Sequence, residues 1–430
     1  MIKLQSKNKR WKRSLRSIIN LGYHLPIAAF WTVYYRYPAR KLTTIGVTGT
    51  DGKTTTSSLI WHILNSSGRK TGLITSINAK IGQKEEETGF HVTTPNPKKL
   101  QQFLAKMTQE KSQYAVIEAT SHGLDQYRLL GTNFYLGVIT NITPEHLDYH
   151  QNMLAYAKTK AKLFKKTKIA ILNRDDKWFS YLKTTIPKKN KIITYGTKNN
   201  ADINPKKFSC RWPLPGTYNQ YNCLAAVAAA KALGIKDQEI RKALKNFSAP
   251  KGRLEEINLG QNFSVFIDFA HTPNALKNVL TELKKQLPKE KKLIAVFGCA
   301  GLRDYKKRPL MGKIASELAD LVIITSEDPR TEDPEKIAKA IARGCLPKKK
   351  KKIIIDRAEA IDFAIQQAQE KDIVVILGKG HEQSMCFGKT EYPWSDHQQV
   401  KKALKKVLNR SPRAKPVVLA FRSVHSPTDE

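Results

Sequence analysis

Thr43-Thr-Ile-Gly-Val-Thr-Gly-Thr-Asp-Gly-Lys53-Thr54-Thr55-Thr56 decides how this chain is read. Ile45–Thr48 is a short β-branched run that reads as a strand. The glycine-rich turn Gly49-Thr50-Asp51-Gly52 follows it, and a helical pattern runs from Thr54 to Leu64. A strand, a glycine turn and a helix N-terminus together make an anion site. Glycines let backbone N–H groups approach phosphate oxygens, and the helix end adds partial positive charge. Lys53 is placed to reach the β- and γ-phosphates, and the Thr54 hydroxyl to bind Mg²⁺. Counted from Gly46, the loop is one residue longer than the usual GxxxxGK[ST] spacing.

Outward from this loop the strand–turn–helix pattern repeats. Strand-like runs occur at Tyr114–Glu118, Gly137–Ile142 and Ile169–Leu172, with helical stretches between them. Alternating β and α implies an α/β fold with a parallel, doubly wound sheet. The pattern breaks near Ser248-Ala-Pro-Lys-Gly252, and a second, smaller Rossmann-like α/β series follows. Its strands are expected at Val265–Asp268, Leu293–Phe297, Leu321–Thr325 and Ile373–Leu377. The organisation read from this is a basic and aromatic segment at 1–42, an ATP-binding domain at 43–250, a C-terminal domain at 251–412 and a loosely held tail at 413–430.

In an open α/β sheet, ligands bind beyond the carboxyl ends of the strands. Glu118 ends one strand, and Thr143-Pro-Glu-His146 follows another. Glu118 and His146, with Thr54, are therefore candidate Mg²⁺ ligands. Asn152–Thr167 reads as one amphipathic helix. Met153, Tyr156, Ala157, Leu163 and Phe164 share a face, and Lys158, Lys162, Lys165 and Lys166 lie opposite. Lys160 alone falls within the apolar stripe. Two readings stand: the lysine snorkels to solvent, or it is carbamylated and the new carboxylate helps hold a second Mg²⁺. Burial favours the latter chemistry by keeping the amine neutral.

The 430 residues carry a formal charge of +38, from 75 Lys plus Arg against 37 Asp plus Glu. Such a balance suits anionic partners, but the basic residues are spread over the whole chain, as on a lysine-rich surface. The five cysteines form no CxxC pair. That excludes a zinc ribbon and a disulfide framework, and it fits a reducing cytoplasm. Residues 22–35 are aromatic and apolar but fall short of the ~20 residues of a membrane span. They are read either as a helix docked on the next domain or as an interfacial contact through residues 1–40.

The chain resembles the Mur ligase family, and within it the UDP-MurNAc-tripeptide synthetases. The ordered matches are Thr48-Gly-Thr-Asp-Gly-Lys-Thr-Thr, Thr93-Thr94-Pro95, Glu118-Ala-Thr-Ser-His-Gly-Leu, Asn141-Ile-Thr-Pro-Glu-His-Leu-Asp-Tyr-His and Gly216-Thr-Tyr-Asn-Gln-Tyr-Asn. Gly252-Arg253, Asp268-Phe-Ala-His-Thr-Pro, Phe297-Gly-Cys-Ala-Gly-Leu-Arg-Asp, Lys307-Arg-Pro-Leu-Met-Gly, Glu327-Asp-Pro-Arg and Gly378-Lys-Gly-His-Glu continue the series. The resemblance implies ATP and Mg²⁺ at Gly49–Thr55, Glu118 and His146, with Lys160 as the family's carbamylated lysine. It implies that Asn219 and Asn222 touch the adenine side of the nucleotide, and that Arg253, Asp268 and His271 touch its phosphate or ribose. Lys53, Glu118, Lys160 and His271 are the residues it puts at the chemistry. Thr93, Thr94, Ser121 and Arg128 would bind a UDP-MurNAc-dipeptide; Arg303, Asp328, Arg330, Gly378 and Glu382 would bind the incoming diamino acid.

The implied activity is ATP-dependent amide formation through an acyl-phosphate by a monomer, with no nucleic acid as partner. Two domains supplying the reactants would close to exclude water. Ser326-Glu327-Asp328-Pro329-Arg330 departs from the Asp-Asn-Pro-Arg usual for diaminopimelate, and Asp328 adds a negative charge suited to lysine's ammonium. About 40 residues precede the loop, so weak uridine recognition is expected. The alternatives are a folylpolyglutamate-type ligase on another carboxylate and, from a different class, a nucleic-acid-stimulated phosphate-loop NTPase.

Overall fold

The computed structural model describes residues 16–89 and 94–410. Contacts divide the chain into two compact units. One comprises the residues up to Pro213 together with Thr217–Ser248; the other comprises Leu214–Gly216 and the residues from Ala249 onward.

The first unit is built on eight strands: β1 (Thr43–Thr48), β2 (Thr71–Ile74), β3 (Ala79–Ile81), β4 (Lys84–Glu86), β5 (Tyr114–Glu118), β6 (Leu136–Ile139), β7 (Ile169–Asn173) and β8 (Lys191–Tyr195). Their spatial order is β4-β3-β2-β5-β1-β6-β7-β8. β1 lies parallel between β5 and β6, with Val47 opposite Glu118 and Thr48 opposite Ile139. This register sets the end of β5 beside the start of the phosphate loop. The central strands read Ile/Val-rich because both sheet faces are covered. On one face, the Lys53–Ser66 helix packs against the Thr217–Ala232 helix, whose Cys223-Leu-Ala-Ala-Val-Ala-Ala-Ala230 stretch is wholly buried. On the other face, the Pro97–Gln109 and Met153–Ala161 helices cover β1, β5 and β6.

The second unit holds β9 (Glu255–Glu256), β10 (Ser264–Asp268), β11 (Leu293–Phe297), β12 (Leu321–Ile324), β13 (Lys350–Ile353) and β14 (Ile373–Leu377) in the order β13-β12-β11-β14-β10-β9. All pairs except β9–β10 are parallel. β15 (Ser384–Phe387) and β16 (Thr390–Pro393) form a separate hairpin.

The α/β architecture agrees with the sequence reading; three details differ. The first sheet is mixed, because β3 and β4 run antiparallel. β3 escaped notice because it is only three residues long, and the edge strands β4 and β13 because they are short, exposed and charged. β6 stops at Ile139 because Thr140 and Asn141 leave the sheet to bond the phosphate loop. The third difference is the helix expected over 152–167. It ends at Ala161 and tightens into a 3₁₀ turn at Lys162–Lys166. That turn drops Leu163 and Phe164 onto the sheet where β1 and β6 carry glycine. A Cβ on Gly46 or Gly137 would lie 2.6 or 2.9 Å from them.

The aromatic segment is a docked helix, Leu25–Tyr34, that follows a π-turn over Asn20–His24. Gln101 Nε2 donates to Leu130 O (2.9 Å) and Thr32 Oγ1 (3.3 Å), joining it to the Pro97–Gln109 helix. No helix among the described residues is long and apolar enough to cross a membrane.

Candidate active site

The loop between β1 and the Lys53–Ser66 helix is held from below by the end of β6. Asn141 Oδ1 accepts from Asp51 N (3.0 Å), Asn141 Nδ2 donates to Asp51 O (3.0 Å), and Thr140 Oγ1 donates to the same carbonyl (2.6 Å). Thr50 Oγ1 accepts from Thr143 N (3.0 Å). The glycines are needed for space as well as for conformation. Gly49 has φ +148° and Gly52 φ +80°, and a Cβ on either would overlap Thr140 Oγ1 or Asn222 Oδ1.

Lys53 Nζ donates back to Thr50 O (2.8 Å) and lies 3.9 Å from Glu118 Oε1. Thr54 Oγ1 donates to Glu118 Oε2 (2.9 Å), and Ser76 N donates to that oxygen (3.1 Å). Ser76 Oγ is 3.2 Å from Thr54 Oγ1. Thr54 and Glu118 are therefore together, as the sequence reading requires, at the carboxyl edge of the sheet. Thr55 is buried in the first turn of the same helix. His146 sits in left-handed backbone (φ +55°), edge-on to His122 at 4.8 Å. Among the described residues no group of three His, Cys, Asp or Glu forms a metal cage. The oxygen set that is present, one carboxylate with two hydroxyls, has the hard-donor chemistry of a partly hydrated Mg²⁺.

Lys160 is 1% exposed. Its Nζ donates to Gly49 O (2.6 Å) and lies 4.4 Å from the Tyr156 ring centre. Burial pushes its pKa well below the usual lysine value, and the Lys53 charge adds to the effect; Asp51, Glu118 and Glu145 oppose it. The snorkelling alternative is ruled out by this burial.

Asn219 and Asn222 are buried on the Thr217–Ala232 helix, bonded to each other (3.2 Å), and Asn222 also accepts from Thr56 Oγ1 (3.3 Å). Thr94 Oγ1 donates to Glu118 O (3.1 Å) and accepts from Thr120 N (3.0 Å); Arg128 Nη1 donates to Thr94 O (2.9 Å). The buried Ser121 hydroxyl has no hydrogen-bond partner among the described residues. Thr93 lies outside the described residues.

In the second unit, Asp268 ends β10 and accepts from Leu254 N (2.6 Å) and Ala270 N (2.7 Å). The Arg253 guanidinium lies 4.6 Å from the Phe269 ring centre. His271 Nδ1 is 2.9 Å from Phe269 O, and burial, together with the nearby Lys307, pushes the ring down to about 3. The sequence reading placed His271 among the catalytic groups. A neutral imidazole this weakly basic is a poor acceptor for an ammonium proton at pH 7.

The loops after β11, β12 and β14 bring the remaining residues together. Arg330, at φ +54°, donates from Nη1 to Gly301 O (3.2 Å), and Arg303 belongs to the same loop after β11. The negative charge expected at Asp328 is met by an internal cation. Lys379, 0% exposed, places Nζ 2.8 Å from Asp328 Oδ1 and 2.6 Å from Glu382 Oε2, one ammonium shared by two carboxylates, which leaves the group net negative. Gly378 (φ +107°) passes against Glu327, where a Cβ would lie 2.8 Å from Oε2. Glu327, Lys379, Ser76 and the buried Arg357–Asp396 pair (2.7 Å) escaped the sequence reading. Lys379 and Glu327 lay inside quoted motifs, but nothing in the spacing marked them as buried charges.

The fold and the loop define a nucleotide-binding α/β ligase. Residues 47–230 match the Mur ligase middle domain, and residues 252–380 match the Mur ligase glutamate ligase domain. The UDP-N-acetylmuramoyl-L-alanyl-D-glutamate–2,6-diaminopimelate ligase of Aquifex aeolicus is 41% identical over 390 residues, covering 86% of this chain and 79% of its own. The same-named ligase of Caldanaerobacter subterraneus is 38% identical over 391 residues, covering 86% and 80%. A solved structure of a ligase with that name superposes with TM-score 0.58 at 34% identity, over 85% of this chain and 79% of the other. Escherichia coli FolC, in complex with DHPP and ADP, has TM-score 0.66 at 18% identity over 90% and 94%, a likeness of fold alone. The chain belongs to the Mur ligase family and is an ATP-dependent ligase that forms an amide bond between an acid and an amino acid.

Proposed function

We propose that this enzyme adds meso-diaminopimelate to UDP-MurNAc-L-Ala-D-Glu in the synthesis of peptidoglycan precursors. The carrying observation is the pairing of Thr54 with Glu118 at the phosphate loop, with Lys160 buried against Gly49. The names of relatives at 38–41% identity supply the substrates.

In this reading Gly49–Thr55 and Lys53 bind the triphosphate of ATP, with Asn219 and Asn222 toward its base. Glu118, Thr54 and His146 would hold Mg²⁺, whose charge would offset that of the phosphates. Lys160 carries a carbamate formed from its neutral amine and CO₂ with release of one proton. The acceptor carboxylate attacks the γ-phosphorus and ADP leaves; Lys53 and the loop amides steady the charge on the moving phosphoryl group. The diamino-acid nitrogen then attacks the acyl-phosphate carbon and phosphate departs. Thr93, Thr94, Ser121 and Arg128 orient the acceptor. Arg303, Asp328, Arg330, Gly378 and Glu382 orient the amine, with Arg330 clamping its distal carboxylate. Arg253, Asp268 and His271 contact the phosphate or ribose of the nucleotide, and His271 acts as a neutral donor or acceptor rather than a base.

The test is phosphate release with Mg-ATP. It is expected only when both UDP-MurNAc-L-Ala-D-Glu and diaminopimelate are present. Lys160→Ala is expected to lower kcat/KM by about 10²-fold, as loss of one transition-state stabiliser does. Release driven by RNA or DNA alone, or a preference for lysine, overturns the reading.

A further inference from the structure

Seven of the fifteen large apolar side chains that are conspicuously exposed among the described residues fall within residues 18–34: Ile18, Ile19, Leu21, Tyr23, Phe30, Val33 and Tyr34. Phe30 and Tyr34 lie one turn apart on the Leu25–Tyr34 helix, and the exposed Ile19 and Tyr23 precede them at the π-turn. Phe30 and Tyr34 are 59% and 64% exposed, and their rings stack at 6.1 Å. Such a patch on a protein surface marks an interaction site.

The opposite face is fixed to the first unit. Thr32 Oγ1 donates to Leu130 O (3.2 Å), Asn20 Nδ2 donates to Asp125 Oδ2 (3.1 Å), and the Arg16 guanidinium stacks 3.8 Å from the Tyr149 ring centre. The stripe is thus presented by a rigid element, and little ordering entropy opposes its docking.

Charge identifies what docks. Ser17–Tyr35 contains no Asp, Glu, Lys or Arg, whereas residues 1–50 hold ten Lys or Arg and no Asp or Glu. The apolar stripe is therefore followed by cations, Arg36, Arg40 and Lys41, all three exposed. An uncharged aromatic face rimmed by one sign of charge matches the boundary of an anionic bilayer. There rings lie at headgroup depth and cations meet lipid phosphates. A self-associating face, by contrast, would meet its own positive rim. The helix is too short and polar to span, so it lies on the surface.

We infer that residues 16–41 form an interfacial anchor that docks the enzyme on an anionic membrane surface. The inference stands apart from the substrate reading, because its readout is binding rather than ligation. The full chain is sedimented with vesicles of phosphatidylcholine containing about 30% phosphatidylglycerol, and with phosphatidylcholine alone, at low and high salt. Binding at least about ten-fold tighter to the anionic vesicles, and reversed by salt, is expected. Phe30→Ser with Tyr34→Ser, at exposed positions, is expected to weaken binding about ten-fold while leaving ligation in solution and the far-ultraviolet circular dichroism unchanged. Arg36→Glu with Arg40→Glu is expected to remove the lipid preference. Equal binding to both vesicles, no effect of the Phe30/Tyr34 change, or a wild-type dimer that this change makes monomeric each overturns the inference; the last gives the patch to a second copy.

Discussion

Lys160 in the first unit and Lys379 in the second are the least exposed lysines among the described residues, and the two are treated in opposite ways. Lys160 in the first unit meets a backbone carbonyl and an aromatic ring, with the positive Lys53 nearby, and burial drives its pKa down. Lys379 in the second unit is at least as buried. Burial alone would lower its pKa too, but the Glu382 and Asp328 carboxylates outweigh that penalty and raise it. A buried ammonium is thus permanent where carboxylates touch it, and it gives way to a neutral, reactive amine where they do not. The first arrangement suits a residue that is to be modified; the second suits a strut that fixes the loops after β12 and β14.

Three measurements can break or sharpen this contrast. The largest effect is expected for Lys379→Met, which takes the cation away from two carboxylates. Chemical denaturation should show a loss of about 3–4 kcal/mol, the scale of a buried pair broken on one side. Next comes Glu327, whose neighbour is that same pair. Its Oε2 has no hydrogen-bond partner among the described residues, and burial raises its carboxyl to about 7. A carboxyl whose folded pKa exceeds its unfolded value stabilises the protein at low pH, and that contribution is lost as pH rises through the folded value. Wild-type stability is therefore expected to fall between about pH 5 and pH 8, and Glu327→Gln to flatten that slope by roughly 2–3 kcal/mol. The smallest change is expected for Lys160→Met, measured without nucleotide or bicarbonate. Removing a buried amine while keeping its volume should shift stability by no more than about 1 kcal/mol. A loss as large as that at Lys379 would mean that Lys160 is a structural cation, and the contrast would fail.

Much of the first unit was legible because its chemistry follows chain order. The loop Gly49–Thr55 is a contiguous segment, and Glu118 is the last residue of a strand that ends where β1 ends. Lys160 stood out because helical periodicity places a charge among Tyr156, Ala157 and Phe164. The second unit was less legible. Asp328, Lys379 and Glu382 come from two separate loops, and their charges meet only across space. Reading Asp328 alone missed the internal ammonium, which leaves the three groups with one net negative charge. His271 shows the same limit: a histidine after a strand looks like a base, but its proton affinity is set by what surrounds it. The N-terminal segment was left open between docking and interfacial contact because an aromatic run has no single helical face; folding buried Ala28 and Thr32 and turned Phe30 and Tyr34 outward.

Local order along the chain therefore determined the α/β class, the phosphate loop and the strand-end positions of the principal side chains, because hydrophobic period and turn chemistry act over a few residues. Tertiary structure alone decided which buried charges are neutralised, which are driven to the neutral form, and which apolar face remains uncovered. Desolvation and ion pairing depend on neighbours that the chain supplies from a hundred residues away, such as Gly49 beside Lys160.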